Sequence, residues 1–555
     1  MHTNIKTLSL SVALLLMTNF GLEAQRRNEP VGSPLAASPK LVVGVVVDQM
    51  RYDYLTRFWE HYGDGGFKRL VRDGFSGRNN HFNYVPTVTG PGHASIYTGT
   101  TPSGHGIISN NWFDKESGKD IYCVSDSTFS SLGTVTDAGQ MSPRRLETTT
   151  ITDQLRLHTQ NRGKVIAIAL KDRASILPGG HAANAAYWFQ GSSEGNWISS
   201  SYYMDALPAW VSQFNASREV DQYKKAWNTL GDIKTYVESG PDNNLFEGVF
   251  RGKQTPTFPY DIPMLWDANG QYDLLKTTPY GNSITTDFVI EAIEAESLGA
   301  DEITDFLTIS YSSTDYIGHF FGVNSKEIED TYIRLDQEIE RLLKALDKKV
   351  GEGQYTLFLT ADHGAVNVPA YLQQQKIPAG YGEPLQNTRA FIDFVAFTYG
   401  DAALIRNISN NQIFLDHRLL ASLDLEPREV EERLAAELLG YEGIDRVYTA
   451  YQMQHQEYNS GIAKLLQNGY NQKLSGDVLW VSSPGFANYS GTGSTHGSAY
   501  TYDTQVPLLF YGMGIKPGQT AMRTEIPDIA PTLAVLLGIA FPNGATGQPV
   551  TAALK

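Results

Sequence analysis

Residues 41–47, LVVGVVV, constrain the fold more than any other segment of this chain. The run has no polar residue and no alternation. It suits a strand covered on both faces, as in a parallel sheet, and not one with a wetted face. Asp48 follows at once. Comparable runs recur at KVIAIAL (164–170), DFLTISY (305–311), YTLFLTA (355–361) and VPLLFYG (506–512). Segments with helical spacing lie between them: 51–62, 67–74, 151–160, Asn282 to Leu298, and 528–538. Residues 325–351 form the longest amphipathic stretch. Buried strands alternating with helices predict an α/β fold, with a central mostly parallel sheet flanked by helices on both faces.

Two regions break the alternation. Residues 174–280 are rich in Gly, Ser, Asn, Pro, Tyr and Trp, and 370–490 carry a helix of their own, PREVEERLAAELLG (427–440), before a further strand. Both are expected to be cap-like inserts on one large core spanning 40–555. A chain of 555 residues otherwise suggests three or four domains.

Composition removes some functions. With 60 acidic against 44 basic residues the net charge is −16, which opposes binding to a nucleic-acid duplex. The single cysteine, Cys123, excludes an intrachain disulfide and a cysteine-based zinc knuckle, so metal chemistry must use His and carboxylates. The apolar run Leu8 to Met17 is too short to span a bilayer. With Lys6 before it and Ala24 after it, residues 1–24 read as a secretory signal peptide. Residues 25–39 read as a flexible lead-in, and no stable membrane anchor is expected. The mature chain is therefore expected to be periplasmic or secreted. No motif encodes an oligomeric state, and a monomer is compatible with all of them.

In open α/β sheets ligands gather at the carboxyl ends of strands. Four strands end here in reactive residues: Asp48; Lys171-Asp172-Arg173; Asp315 and His319 within STDYIGH; and Asp362-His363 before Gly364. His496 stands in a glycine- and serine-rich loop. Singly, each has a bland reading as a turn former, helix cap or structural histidine. Together they bring oxygen and imidazole donors to one edge, a ligand chemistry suited to zinc without cysteine. Thr89 precedes Gly90-Pro91 and the short helical run 92–99. It reads either as a helix N-cap or as a nucleophile at a helix N-terminus, where free N–H groups favour an anion. A threonine hydroxyl needs activation, and metal coordination supplies it.

The segments VVVDQMRYDYL, YVPTVTGPGHASIYTGTTPSGHGI, LKDR, STDYIGH, TADHG and STHGS together resemble the alkaline phosphatase superfamily. Within it the chain is similar to the secreted bacterial alkaline phosphatases of the PafA type, relatives of the nucleotide pyrophosphatase/phosphodiesterases. The resemblance implies two zinc ions per chain. Asp315, His319 and His496 match the ligands of one. Asp48, Asp362 and His363 match those of the other, with Thr89 as the coordinated nucleophile. Asn110 matches the donor to a phosphoryl oxygen. Lys171 and Arg173 match the pair that marks monoesterases, so small phosphate monoesters are the expected substrates, through a phospho-threonine intermediate.

The alternative on the same residues is a phosphodiesterase or nucleotide pyrophosphatase, against which Lys171-x-Arg173 argues. A sulfatase requires a C/S-x-P-x-R context that neither Cys123 nor Thr89 provides. A catalytically dead recognition module would be expected to lack a ligand, and all are present. His81, His93 and His105 are assigned structural roles. The sequons at Asn215, Asn407 and Asn488 are assigned none.

Overall fold

The strand β1 (Leu41–Val47) is buried at every position. It lies in the middle of a ten-stranded sheet in a computed structural model describing residues 38–381, 384–489 and 491–555. The expected signal peptide, and the lead-in as far as residue 37, lie outside these. The other strands of the sheet are β2 (Phe75–Gly77), β3 (Ser131–Leu132), β4 (Val165–Ala169), β5 (Ala185–Gln190), β6 (Asn196–Ser200), β7 (Asp305–Tyr311), β8 (Tyr355–Thr360), β9 (Leu508–Gly512) and β10 (Gly518–Thr520). Their spatial order is β10-β2-β9-β8-β1-β7-β4-β5-β6-β3.

The five neighbours β8-β1-β7-β4-β5 are parallel. The apolar runs read from the sequence supply four of them. The fifth run, at 508–512, forms β9, which pairs antiparallel with β8. β2, β6 and β3 extend the edges antiparallel, and β10 pairs parallel with β2. The sheet is therefore mixed at its margins and parallel where both faces are covered.

Eight helices matter to the argument: α1 (Thr89–Thr98), α2 (Ile151–His158), α3 (Asp172–Gly179), α4 (Tyr280–Ala295), α5 (Ser313–Phe321), α6 (Lys326–Leu346), α7 (Pro427–Leu438) and α8 (Ile529–Leu537). α6 starts at Ser325, whose hydroxyl accepts from the Ile328 N–H, and its buried stripe joins the main core. The expected helix over 51–62 is a turn of helix at Tyr54–Arg57 and a 3₁₀ turn at Trp59–His61. Crowded aromatics dock it by their rings, Tyr54 and Phe58 stacking near Tyr332 of α6. Ring packing overrides helical spacing over so short a stretch.

Within 370–490 a separate four-stranded sheet forms, ordered Ile405–Ser409, Gln412–Leu415, Val478–Ser482, Ile444–Thr449. α7 contributes Val430, Leu434 and Leu438 to its own apolar cluster with that sheet. Residues Pro39–Lys555 nevertheless form a single compact unit. Among the described residues no helix is long and apolar enough to cross a membrane.

Candidate active site

Register explains why segments hundreds of residues apart meet. Val47 pairs with Tyr311, Val46 with Thr360, and Ser310 with Ala169. The parallel strands β1, β7, β8 and β4 therefore end level. The residues that follow them (Asp48, Asp315, Asp362-His363 and Lys171) emerge on one edge.

Asp48, Asp362 and His363 are fully buried, and one donor atom of each lies within 4.8 Å of the others. His363 Nε2 is 3.5 Å from Asp48 Oδ1 and 3.4 Å from Asp362 Oδ2. All three of these atoms are buried without a hydrogen-bond partner. The Nδ1 of His363 faces the Gly364 carbonyl at 3.0 Å, so Nδ1 carries the proton and Nε2 presents a lone pair. Orphaned buried donors converging on one point fit a cation, which would satisfy them all.

A second set lies beside the first. His319 Nε2 is 3.1 Å from Asp315 Oδ1 and 3.2 Å from His496 Nε2, and His496 Nε2 is 3.6 Å from the same carboxylate oxygen. His319 Nδ1 donates to the Ser494 carbonyl and His496 Nδ1 to the Thr87 carbonyl, each at 2.8 Å. Burial keeps His496 neutral, whereas at His319 burial is outweighed by Asp315, which raises it, and the two Nε2 atoms face each other and the Asp315 carboxylate, an arrangement that a shared cation also satisfies. His363 and His496 stack with centroids 3.4 Å apart, which makes the two sets contiguous, and His363 groups with Asp315 and His496 as well as with the first set.

Burial and charge act unequally on these carboxylates. Burial raises Asp48 to about 6 against the opposing pull of Lys171. Burial, then Asp48, hold Asp362 well above the carboxylate range. Burial also acts to raise Asp315, but His319 and Lys171 outweigh it and leave it well below its ordinary value. Burial lowers His496 to about 3 and His363 well below the imidazole range.

Lys171 Nζ donates to Asp48 Oδ2 and to Asp315 Oδ2, both at 2.6 Å, and so spans the two sets. Burial opposes its charge, but the two carboxylates hold its pKa above the ordinary lysine value. Arg173 lies in the first turn of α3 and donates through Nη1 to the Tyr122 hydroxyl at 3.0 Å, while its buried Nε has no partner. Thr89 is 1% exposed and is the first residue of α1. The residue before it, Val88, occupies the N-cap position without a side-chain bond, so Thr89 is not a cap. α1 lies directly on Asp362: a Cβ on Gly92 would overlap the Asp362 carbonyl and come within 2.8 Å of its Cβ. α1 also packs against α3, which carries Arg173. Asn110 Oδ1 accepts from the Gly90 N–H at 2.7 Å, which turns its amide toward the start of α1 with the NH₂ end free of that bond.

His93 and His105 are buried and bonded, His93 to the Thr89 carbonyl and Ser310 Oγ, and His105 to Ser95 Oγ. His81 sits against Asn79. Each has the internal partners of a structural histidine.

Sequence reasoning overlooked Gln49. Its Nε2 donates to Asp315 Oδ1 at 2.7 Å, and its backbone N–H donates to Asp362 Oδ1 at 3.1 Å. It thus ties a carboxylate of each set to the end of β1. It does so at φ +63°, a left-handed conformation that non-glycine residues adopt at a cost. Its place directly after Asp48 was the only signal in the sequence. Tyr122 was also missed. Its hydroxyl donates to Asp172 Oδ1 at 2.5 Å while accepting from Arg173, so it fixes the guanidinium.

Comparison with known proteins places this geometry. The family model for type I phosphodiesterase / nucleotide pyrophosphatase matches residues 42–504. The chain is 46% identical to a protein of Myroides odoratus named calcium-transporting ATPase, over 93% of this chain and 95% of that one. It is 44% identical to alkaline phosphatase PafA of Elizabethkingia meningoseptica, over 92% and 94% respectively. The crystal structure of wild-type PafA superposes with a TM-score of 0.90 at 44% identity, covering 94% of this chain and all of that one.

Proposed function

The chain belongs to the type I phosphodiesterase / nucleotide pyrophosphatase family, in its PafA-type alkaline phosphatase branch, and we propose that it is an exported phosphomonoesterase with Thr89 as nucleophile. The observation that carries this reading is the position of Lys171. It is a fixed, buried cation bonded to Asp48 and Asp315, in one neighbourhood with Arg173 and the start of α1.

Asp48, Asp362 and His363, with Thr89, would hold one zinc ion, and Asp315, His319 and His496 a second. Zinc in these sets would supply Lewis acidity, activating a hydroxyl and neutralising charge on a departing oxygen. The rest falls to the chain's own groups. Thr89 Oγ1, having given its proton to solvent, forms a bond to phosphorus as the bond to the alcohol oxygen breaks, and the departing alkoxide takes a proton from water. Water then cleaves the resulting phospho-threonine and releases inorganic phosphate. The N-terminal amides of α1 favour the anion at this position. A loose phosphoryl transition state asks chiefly for positioning and charge stabilisation of its equatorial oxygens, which Asn110, Lys171 and Arg173 supply. Two divalent ions offset the three aspartates and the Thr89 alkoxide, so Lys171 and Arg173 remain as the net charge facing the substrate. That surplus favours a monoester dianion over a diester monoanion, even on a chain of net charge −16.

The test is kcat/KM on a matched monoester and diester. Thr89→Ala should lose turnover on both while retaining metal. Lys171→Ala with Arg173→Ala should lose far more on the monoester. Equal losses on the two substrates would remove the charge argument, and near-normal turnover of Thr89→Ala would remove the nucleophile.

A further inference from the structure

A third group of ligand-type side chains lies outside these two sets. His61 ends the 3₁₀ turn Trp59–His61, Glu238 belongs to the segment 174–280, and Glu329 lies in the first turn of α6. One ligand atom from each lies within 4.8 Å of the others. His61 Nε2 is 2.9 Å from Glu238 Oε2 and 3.4 Å from Glu329 Oε1.

The Glu329 side chain is fully buried, and its Oε1 has no hydrogen-bond partner. Its other oxygen accepts from the Ser239 hydroxyl, and Oε1 faces His61 Nε2 at 3.4 Å without hydrogen-bond geometry. A buried carboxylate oxygen in this state is costly unless a cation or a proton meets it, and burial, with Glu238 adding to it, raises Glu329 to about 7. The surroundings hold the group in shape. The Glu238 backbone carbonyl accepts from Arg57 Nε at 2.9 Å and Nη2 at 2.7 Å, and the His61 ring lies edge-on to Tyr236. The side chains of His61 and Glu238 are 18% and 23% exposed, which leaves a solvent-facing side for water ligands.

We propose that His61, Glu238 and Glu329 bind a divalent cation of the zinc class that clips the segment around residue 238 to the turn after β1 and to α6. One imidazole and two carboxylates, with water completing the shell, form a donor set used by zinc without cysteine. Binding at the junction of three segments stabilises the folded chain by an amount that grows with the logarithm of ion concentration above Kd. The alternative arrangement is a protonated Glu329 hydrogen-bonded to the Glu238 carboxylate and no ion.

Metal content of the purified full-length chain, measured by plasma mass spectrometry after equilibration with zinc, separates the two. Glu238→Gln and Glu329→Gln should each bind one ion per chain fewer than the unsubstituted protein, while kcat/KM on an aryl phosphate stays within about twofold. Equal metal content in all three would overturn the proposal. Anomalous diffraction at the zinc edge on the unsubstituted protein gives a reading independent of whether Glu329→Gln folds. A peak beside Glu329 Oε1 supports the site, and its absence from zinc-grown crystals refutes it. Because the readout is a difference at this cluster, it does not depend on the ions or the activity proposed for the other two sets.

Discussion

Gly318→Ala tests how the two donor sets are held together. Gly318 lies on α5, between Asp315 and His319. A Cβ there would overlap Gln49 Oε1 and approach Gln49 Cδ to 2.9 Å. The obstacle is the far end of a flexible side chain, so the amide swings away and the backbone stays. An alanine in place of a mid-helix glycine adds roughly 0.5–1 kcal/mol of helix stability, so the global fold should be little affected. The local loss is the Gln49 Nε2 bond to Asp315 Oδ1 at 2.7 Å. A buried hydrogen bond to a charged group is worth about 1.5–3 kcal/mol. If Asp315 loses that orientation in the transition state, kcat/KM falls about 10- to 150-fold. Gln49→Ala removes the same bond and should show the same loss. The double variant should lose no more than either single, because both act through one contact. The assay is steady-state hydrolysis of an aryl phosphate at saturating zinc, with thermal unfolding as the control for the fold. Kinetics of Gly318→Ala within twofold of the unsubstituted protein, or additive losses in the double variant, would show that Gln49 does not position Asp315.

Prolonged exposure to a strong chelator should abolish turnover, and added zinc should restore it, because orphaned donors at Asp48, Asp362 and His363 leave no substitute for an ion; chelator-resistant activity would contradict the metal assignment. Gly92→Ala forces α1 off Asp362. It should cost about 1–3 kcal/mol in stability and most of the turnover, read by thermal unfolding and kcat/KM. Glu431 of α7 is raised to about 7 by burial, with further upward pressure from Asp477 and Glu432 against the Tyr451 N–H bond and His417. A carboxyl whose folded pKa lies above its unfolded value near 4.5 contributes stability that is present below pH 4.5 and lost as pH rises through 7. The loss is at most about 3 kcal/mol. Glu431→Gln should flatten the decline of Tm between pH 5 and 8, and an unchanged slope would refute this.

Much of the site was legible because it rests on local signals. Buried parallel strands require continuous apolar runs, and the residues following such runs sit at the ligand-binding edge whatever else the chain does. Asp48, Lys171, Asp315, Asp362 and His363 therefore stand out as candidates when taken together, though each alone has a bland reading. Asn110 was marked only by the family resemblance, and His496 by its glycine- and serine-rich loop together with its motif. Gln49 went unread because its role depends on a left-handed backbone and two bonds to residues 266 and 313 positions away. No periodicity encodes either. The helix expected over 51–62 differed for a related reason: aromatic docking outweighs spacing in a short segment.

By itself, then, the sequence determined the type of donors, the buried parallel core and the edge where chemistry gathers, since apolar patterning and residue type act locally. Tertiary structure alone decided which atoms meet. Strand register brings Lys171 between Asp48 and Asp315, and the stacking of His363 on His496 joins two sets that the motifs present separately. It also set Glu329 Oε1 3.4 Å from His61 beside Glu238, a grouping no motif marked. Such distances follow from how the elements pack, and packing is a property of the whole chain.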